Sequence, residues 1–385
     1  MTNTILVIAE NNTANMGDNL IFEGLTACIH QARPDFKIST VNLSIASSAA
    51  ANSQKIPFRK RLVRFGENRL PGMVALMQMN AQRFLFRSHL DENRALLQQV
   101  DFIIIGGGQL LLDNALGFPT KLQCFARLAH ELNKPYHILS CGIGEYWSLL
   151  AREMFTEVLT NAASISLRDP YSIERLRQEL PALKARLAPD PALWTADLYP
   201  ASQLSAPPVL GICPINRLDF NRHLPKNQQY SEQAWLSWWF GLLGVLTLQR
   251  TPFRLFTTGV PQDNQFAWQL LLEFGLSKDT LLPAPVTPAE YCQQVQGFSR
   301  VITTRLHAAI TAHSYGIPAL GIIWDEKVRS YFKMIGRASD AMTIEEITPS
   351  SLPDQLAAIQ APTPAILDEM KQRTASVVAS TLTSA

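Results

Sequence analysis

"VITTRLHAAITAHSYGIPALGII", Val301 to Ile323, holds two short apolar runs separated by an alanine-rich stretch. Val301–Thr303 is too short for a helix and rich in β-branched side chains, so it reads as a buried strand. Ala308, Ala309 and Ala312 then supply small residues at helical spacing, which lets a helix lie close to a sheet. Gly316 and Pro318 end that helix, and 319–323 reads as the next strand. Strand, helix and strand in succession make up the unit of a parallel sheet covered by helices.

The same alternation runs outward along the chain. In the first half the candidate strands are 5–9, 38–43, 102–105, 136–140 and 164–167, each followed by a polar or glycine-bearing turn. After Trp194 comes the irregular, proline-bearing "TADLYPASQLSAPP", and then a new apolar run, "VLGICP". That change marks a boundary, giving one Rossmann-like domain over 1–200 and a second over 207–385. The second half carries strands at 209–213, 255–258, 301–303 and 319–323 and closes on a helix near 365–380. The expected fold class is α/β, with two Rossmann-like domains facing a cleft.

Composition excludes several functions. A chain of 385 residues that is 47% hydrophobic and 17% charged is long enough for two cores and too apolar for general disorder. With 34 basic and 32 acidic side chains the formal charge is only +2, which leaves no global footprint for nucleic acid. No secretory signal pattern and no membrane-length apolar stretch is visible, so the expected location is cytoplasmic. The five cysteines are scattered and include no Cys-x-x-Cys pair, which reads as reduced thiols, mostly in the core.

In open parallel sheets ligands bind beyond the carboxyl ends of the strands, where loops diverge and helix N-termini present free N–H groups. The unusual residues of this chain fall in those loops: "NMGDN" (15–19), "GGGQLL" (106–111), "CGIGE" (141–145), "RDPYS" (168–172), "PINRLD" (214–219), "TGVPQDN" (258–264), "TRLH" (304–307) and "WDEK" (324–327). The glycines of "GGGQLL" do not make a dinucleotide fingerprint; they serve either a tight turn or close backbone approach to a ligand. In "NMGDN", Asn15 or Asp18 could cap a helix, or Asp18 and Asn19 could bind sugar hydroxyls. Thr303 or Thr304 is expected as the cap of the alanine-rich helix, with Arg305 and His307 in its first turn. A cation there is unfavourable unless an anion compensates it, so an incoming anion is expected. Arg168 stands at a sheet edge by the same argument, or else pairs with Asp169. His313, about two turns along, is expected in the core. The chain has no Asp-x-Asp, no His-Glu-x-x-His and no Gly-x-Ser-x-Gly, so the remaining chemistry is metal-free, with arginine as clamp and histidine as proton carrier.

"NMGDN", "GGGQLL", "SLRDPYS", "APDPALW", "TTRLHAAITAHSYGIPALGI" and "WDEKVRSYF" together resemble the polysaccharide pyruvyl transferases over roughly Asn11 to Phe332. The resemblance implies a glycosyltransferase-B type fold and no resident cofactor. It implies transfer of a pyruvyl group from phosphoenolpyruvate to a sugar of a polysaccharide or its lipid-linked precursor. It implies Arg168, Arg305, Leu306, His307 and Lys327 on the donor side, with His307, Arg305 and Arg168 catalytic. Asn15, Gly17, Asp18, Asn19, Gly107, Gly108, Gln109 and Asp190 are the acceptor-side candidates. Two other classes share the fold: a metal-independent glycosyltransferase using a nucleotide sugar, and an inactive sugar- or anion-binding homologue.

Residues 55–87 match none of these motifs. They carry Lys55, Arg59, Lys60, Arg61, Arg64, Arg69, Arg83 and Arg87 against Glu67 alone, interleaved with Phe58, Phe65, Phe84 and Phe86. The mixture suits peripheral contact with an anionic membrane, or a solvated helix face whose aromatic side chains point inward.

Overall fold

The computed structural model describes residues 4–43, 71–201, 209–224 and 226–383. The first sheet holds β1 (Thr4–Ala9), β2 (Lys37–Asn42), β3 (Phe102–Gly106), β4 (Tyr136–Cys141), β5 (Ser164–Leu167) and β6 (Arg186–Leu187), in the order β2-β1-β3-β4-β5-β6. The second holds β7 (Val209–Cys213), β8 (Phe253–Leu255), β9 (Phe298–Thr303), β10 (Ala319–Ile322) and β11 (Ala341–Met342), in the order β11-β10-β9-β7-β8. All pairings are parallel. In each sheet the chain steps outward from its first strand to its second, then crosses to the other side for the third. The loops therefore part between β1 and β3, and between β7 and β9, leaving a crevice at each switch point.

Helices join the strands: α1 (Met16–Ala32), α2 (Pro71–Gln99), α3 (Gly117–Glu131), α4 (Leu149–Thr160) and α5 (Pro170–Glu179), with the short α6 (Thr195–Leu198) between the sheets. In the second half come α7 (Arg217–Phe220), α8 (Glu232–Leu248), α9 (Pro261–Phe274), α10 (Pro288–Gln296), α11 (Leu306–Ser314), α12 (Glu326–Met334), α13 (Leu352–Ala358) and α14 (Pro364–Thr383). Side-chain caps at the cleft fix where several begin. Asn15 accepts from the Gly17 N–H at the start of α1, Asp169 from Ser172 at α5, and Asp325 from Lys327 at α12.

One apolar core lies between the first sheet and α2–α4, around Ile103, Ile105, Phe125 and Phe155. The other is continuous across both halves: it runs from Ile5, Val7 and α1 through Ala188–Trp194 to the second sheet and its helices. The last helix, α14, returns to pack on α1, and Thr374 Oγ1 donates to the Pro189 carbonyl at 2.9 Å. Arg186 of β6 reaches Ser380 and Thr381 on the same helix. The two sheet edges also touch directly: the Met16 N–H donates to the Thr258 carbonyl at 2.8 Å, and the Tyr171 N–H to Ser330 Oγ at 3.3 Å.

Two details differ from the reading of the sequence. The strand expected at 255–258 pairs at Phe253–Leu255 instead; beyond Phe256 the chain leaves β7 to build the cleft loop. The two-residue edge strands β6 and β11 carry no apolar run and have no sequence signal. Of the basic stretch 55–87, residues up to 70 lie outside the described part. On α2, Phe86 is buried edge-on against Phe125 with ring centroids 5.3 Å apart, Phe84 is exposed, and Arg83 Nη2 donates to Gln123 Oε1 at 2.8 Å. Among the described residues no helix is long and apolar enough to cross a membrane.

Glycine at 107 is a packing requirement: φ is +76°, and an added Cβ would stand 2.2 Å from Ile21 Cγ2 on α1. Gly107→Ala is expected to destabilise the protein by roughly 1–3 kcal/mol in a denaturant melt. Gly244 sits inside α8, and an added Cβ there would meet nothing within 4 Å, so Gly244→Ala is expected to stabilise the protein by about 0.5–1 kcal/mol.

Candidate active site

The switch points of the two sheets face each other across a cavity of about 280 Å³. Asn15, Asp18, Gln109 and Arg168 line it from the first half, and Arg305, Leu306, His307 and Lys327 from the second. These eight come from loops far apart in sequence, and the topology brings them together.

Arg168 follows β5 and is deeply buried, its side chain 4% exposed. Its guanidinium lies against Gly142, where an added Cβ would come within 2.8 Å of Nε. Nε pairs with Asp169 Oδ2 and Nη1 with Asp190 Oδ2, both at 3.4 Å. Asp190 Oδ1 accepts the Ala192 N–H at 3.0 Å and so caps a 3₁₀ turn over Pro191–Trp194. Its Oδ2 faces Arg168 on one side and His307 Nε2, 3.6 Å away, on the other. Burial alone would raise the Asp190 carboxyl, but the imidazole of His307 and the guanidinium of Arg168 outweigh it and hold the group below its ordinary value. Asp190 therefore lies behind the reactive side chains, outside the cavity lining.

Arg305 itself is the N-cap of α11, in extended conformation and with no side-chain cap bond. This replaces the expected threonine cap. Thr303 Oγ1 is engaged with the Arg305 backbone at 2.9 Å, accepting its N–H and donating to its carbonyl. Thr304 Oγ1 donates to the Cys213 carbonyl at 3.0 Å. The expectation of an uncompensated cation is also corrected. Arg305 Nε donates to Asp263 Oδ2 at 2.7 Å and Nη2 to Asp219 Oδ2 at 2.8 Å, so the protein supplies two carboxylates of its own. Asp263 is in turn fixed by the Asn216 backbone N–H and Nδ2, both at 2.9 Å from Oδ1. Nη1 of Arg305 and the N–H groups of Leu306 and His307 meet no acceptor among the described residues.

Lys327, in the first turn of α12, crosses the cleft: Nζ donates to Gln109 Oε1 at 2.8 Å and pairs with Asp325 Oδ2 at 3.1 Å. Burial lowers its pKa, and the neighbouring Arg168 and Arg305 act in the same sense against Asp325. Its ammonium stands 4.6 Å from the centroid of the Trp324 ring, and the Arg305 guanidinium 5.9 Å from it. The side chains of Arg305, His307 and Lys327 are 16, 14 and 18% exposed, desolvated yet open to the cavity.

Opposite them, Asp18 accepts from Asn15 Nδ2 at 3.0 Å. Burial raises its carboxyl pKa despite the opposing pull of His307, Asn15, Lys327 and Arg305. Gly17 touches the imidazole directly; a Cβ there would lie 2.5 Å from His307 Cγ and Nδ1. The remaining candidates have structural work. Asn19 braces the loop before α1 through two 3.0 Å bonds with Thr13, one to its N–H and one to its carbonyl. Gly107 and Gly108 both have positive φ and bond to the neighbouring loop, Gly107 N–H to Leu139 O at 2.9 Å and Gly142 N–H to Gly108 O at 2.8 Å. His313 is buried against Tyr331, with its pKa pushed down to about 3 by burial.

Sequence reasoning singled out neither Asp219 and Asp263, which orient Arg305, nor the lining residues Glu10, Arg222 and Trp324. The segments that hold Asp219, Asp263 and Trp324, "PINRLD", "TGVPQDN" and "WDEK", were visible as strand-end segments. Nothing in those strings says which arginine the carboxylates meet.

A family model for polysaccharide pyruvyl transferase matches residues 15–326. The chain belongs to that family. It is also 22% identical over 380 residues to the amylovoran biosynthesis protein AmsJ of Erwinia amylovora, covering 90% of each chain. Among solved structures it superposes on the UDP-GlcNAc 2-epimerase of Methanocaldococcus jannaschii with a TM-score of 0.54 at 11% identity, covering 100% of both chains. A trehalose-phosphate synthase of Burkholderia vietnamiensis gives 0.53 at 11% identity, covering 100% of this chain and 96% of that one. These likenesses establish the glycosyltransferase-B type arrangement of two Rossmann-like units, and the family places the protein among the transferases of polysaccharide biosynthesis.

Because its carboxyl is depressed, Asp190 adds stability that is present above about 3.9, the unfolded carboxyl value, and is lost as the pH falls through the lower folded value. Asp190→Asn should cost roughly 3 kcal/mol at neutral pH. Denaturant melts of wild type and variant should draw together as the pH falls below about 3.9 and through the lower folded value.

Proposed function

We propose that the protein moves the pyruvyl group of phosphoenolpyruvate onto two hydroxyls of one sugar in a polysaccharide or its lipid-linked precursor, forming a pyruvate ketal and releasing phosphate. The observation that carries this reading is the lining of one cavity by Arg168, Arg305, Lys327 and the open N-terminus of α11. Phosphoenolpyruvate brings a carboxylate and a phosphate on adjacent substituents of one carbon. Two guanidinium forks, an ammonium and free backbone N–H groups are donors that suit such a dianion. The pairing of each cation with carboxylates of the protein does not remove these donors. It fixes the forks before the ligand arrives, so little reorganisation is left for the reaction.

The chemistry divides into two additions. The first sugar hydroxyl attacks C2 and loses its proton, while C3 gains one and becomes a methyl group. The second hydroxyl then takes the place of phosphate at C2, giving up its proton as the C–O bond to phosphate breaks. His307 is the general acid for C3, held in orientation by Asp190 behind it. Asp18, a carboxyl made more basic by burial and facing His307 across the cleft, is the base for the hydroxyl. Lys327 and Arg305 serve the phosphate as it gathers charge, and Arg168 the carboxylate at the cavity floor.

Incubation with phosphoenolpyruvate and lipid-linked or free oligosaccharides should release phosphate and add to the acceptor the mass of pyruvic acid less water. Turnover of a nucleotide sugar with no such release overturns the reading. Turnover should survive exhaustive EDTA, since arginine and lysine occupy the place of a metal. Arg305→Lys should raise the KM for phosphoenolpyruvate about tenfold or more. His307→Gln should lower kcat about 100- to 10,000-fold with the fold intact. The acidic limb of the kcat profile should lie above the ordinary carboxylate value of about 3.9, because Asp18 must be ionised to act, and Asp18→Asn should abolish that limb along with most activity.

A further inference from the structure

A second cavity, of about 420 Å³, adjoins the first on the second-sheet side. Trp324 lines both. The turn after α7 also separates them, with Arg222 facing the first cavity and Phe220 and Leu224 the second. Asp325 belongs to the second cavity, yet its Oδ2 holds Lys327 of the first at 3.1 Å. Anything seated in one cavity thus ends within one side chain of the other.

The two differ in charge. The first carries Arg168, Arg222, Arg305 and Lys327 against the carboxyl groups of Glu10 and Asp18. No cation is among the described residues lining the second; its floor is Phe220, Ile323, Trp324 and Ile344, all buried. Its polar groups are Tyr230, Gln228, Thr343 and the carboxyl groups of Glu145, Asp325, Glu326 and Glu345; Asp325 pairs with Lys327, Glu326 with Arg329, and Glu345 accepts from the Tyr230 hydroxyl. Burial raises the pKa of Glu145, and the nearby Asp325 and Glu326 add to it against Arg175, as expected where carboxyl groups line the space and cations stand outside it. A phosphate, a nucleotide or an acidic sugar would be repelled. Among the described residues no three carboxyl or imidazole groups converge to hold a metal ion. What fits is a neutral, polyhydroxylated ring: the apolar floor takes its C–H face, and rim carboxylates accept its hydroxyl protons in charge-assisted hydrogen bonds. The volume lies within the range of small-ligand sites, about 300–1,000 Å³.

The geometry points to this cavity as a subsite for a neutral sugar of the acceptor chain, next to the sugar modified in the first cavity. The assignment rests on the pyruvyl-transfer reading for what the acceptor is, and places its neighbouring unit beyond Trp324 on the second-domain side. Charge sorts the substrates: the anionic donor is confined to the cationic cavity and the uncharged saccharide to the acidic one. The enzyme would then read a chain of sugars and discriminate against a free monosaccharide.

Binding is measured by calorimetry and saturation-transfer NMR without phosphoenolpyruvate, so the outcome does not depend on donor chemistry. The probes are neutral tetrasaccharides of glucose, galactose and mannose and the matching methyl hexosides. At least one tetrasaccharide should bind about tenfold more tightly than its monosaccharide, the scale of one charge-assisted hydrogen bond. That advantage should vanish in Glu345→Lys, which reverses the rim charge, and in Thr343→Trp, which fills the mouth; melting temperatures identify whichever variant is folded, and either one suffices. No tetrasaccharide advantage, an advantage that survives both substitutions, or uptake of calcium or of uridine monophosphate in place of sugar overturns the subsite. Phosphate release from phosphoenolpyruvate together with such a negative result leaves the pyruvyl reading standing and removes only the subsite. Rim-dependent sugar binding without any turnover of phosphoenolpyruvate does the reverse.

Discussion

The carboxylate of Asp190 joins the two halves of the molecule where their chemistry meets. One oxygen caps the turn that leads out of the first sheet, and the other stands between Arg168 of the first half and His307 of the second. A buried anion needs partners, and here they come from opposite sides of the cleft. Much of the surrounding sequence follows from that arrangement. Gly142 leaves room for the guanidinium of Arg168, and Gly17 leaves room for the imidazole of His307. A methyl group at either position would push one of the two side chains off the shared carboxylate. Two glycines, one in the first turn of α1 and one just after β4, thus answer to a single oxygen atom.

The charges of the cleft are arranged as a scaffold with open ends. Asp263 is held by Asn216 and holds Arg305; Asp325 caps α12 and holds Lys327; Asp169 caps α5 and meets Arg168. In each case the carboxylate that positions a cation is itself fixed by a backbone or amide donor. The cations are consequently stiff, and their remaining N–H groups face a narrow, poorly solvated space. Such a site loses little on closing around an anion, because its dipoles are already aimed. It also explains why an excess of acidic residues around the cavity is compatible with an anionic ligand: those acids are spent on geometry.

Much of this was legible in the sequence because it rests on local pattern. Buried strands such as β1 and β3 are continuous apolar runs, and the loops that follow them carry the polar residues of the cleft. The cap of α11 was not legible: Thr303, Thr304 and Arg305 are adjacent, and only backbone geometry shows which of them starts the helix. Nor was the partner set of Arg305, whose carboxylates lie 42 and 86 positions away along the chain. Glycines 106–108 show the same limit, since a turn and a ligand cradle demand the same residue; the contact of Gly107 with Ile21 distinguishes them. Pattern gives the elements and the side of the sheet on which chemistry sits, while pairings between remote loops emerge only in three dimensions.

The return of α14 to α1 bears on how the chain is made. α1 packs against a helix made long after it, and Arg186 and Pro189 of the connecting region bond to the same late segment. Until α14 is made, one flank of α1 has no cover, although the strands beside it can already pair. Nascent chains would therefore carry an exposed apolar strip until α14 emerges, a target for holding chaperones and a risk for aggregation. Native contacts of such long sequence separation also form late in folding, because the segment they close spans both sheets. Loss of α14 would thus be felt at α1, the helix whose first turn presents Asp18 to the cleft.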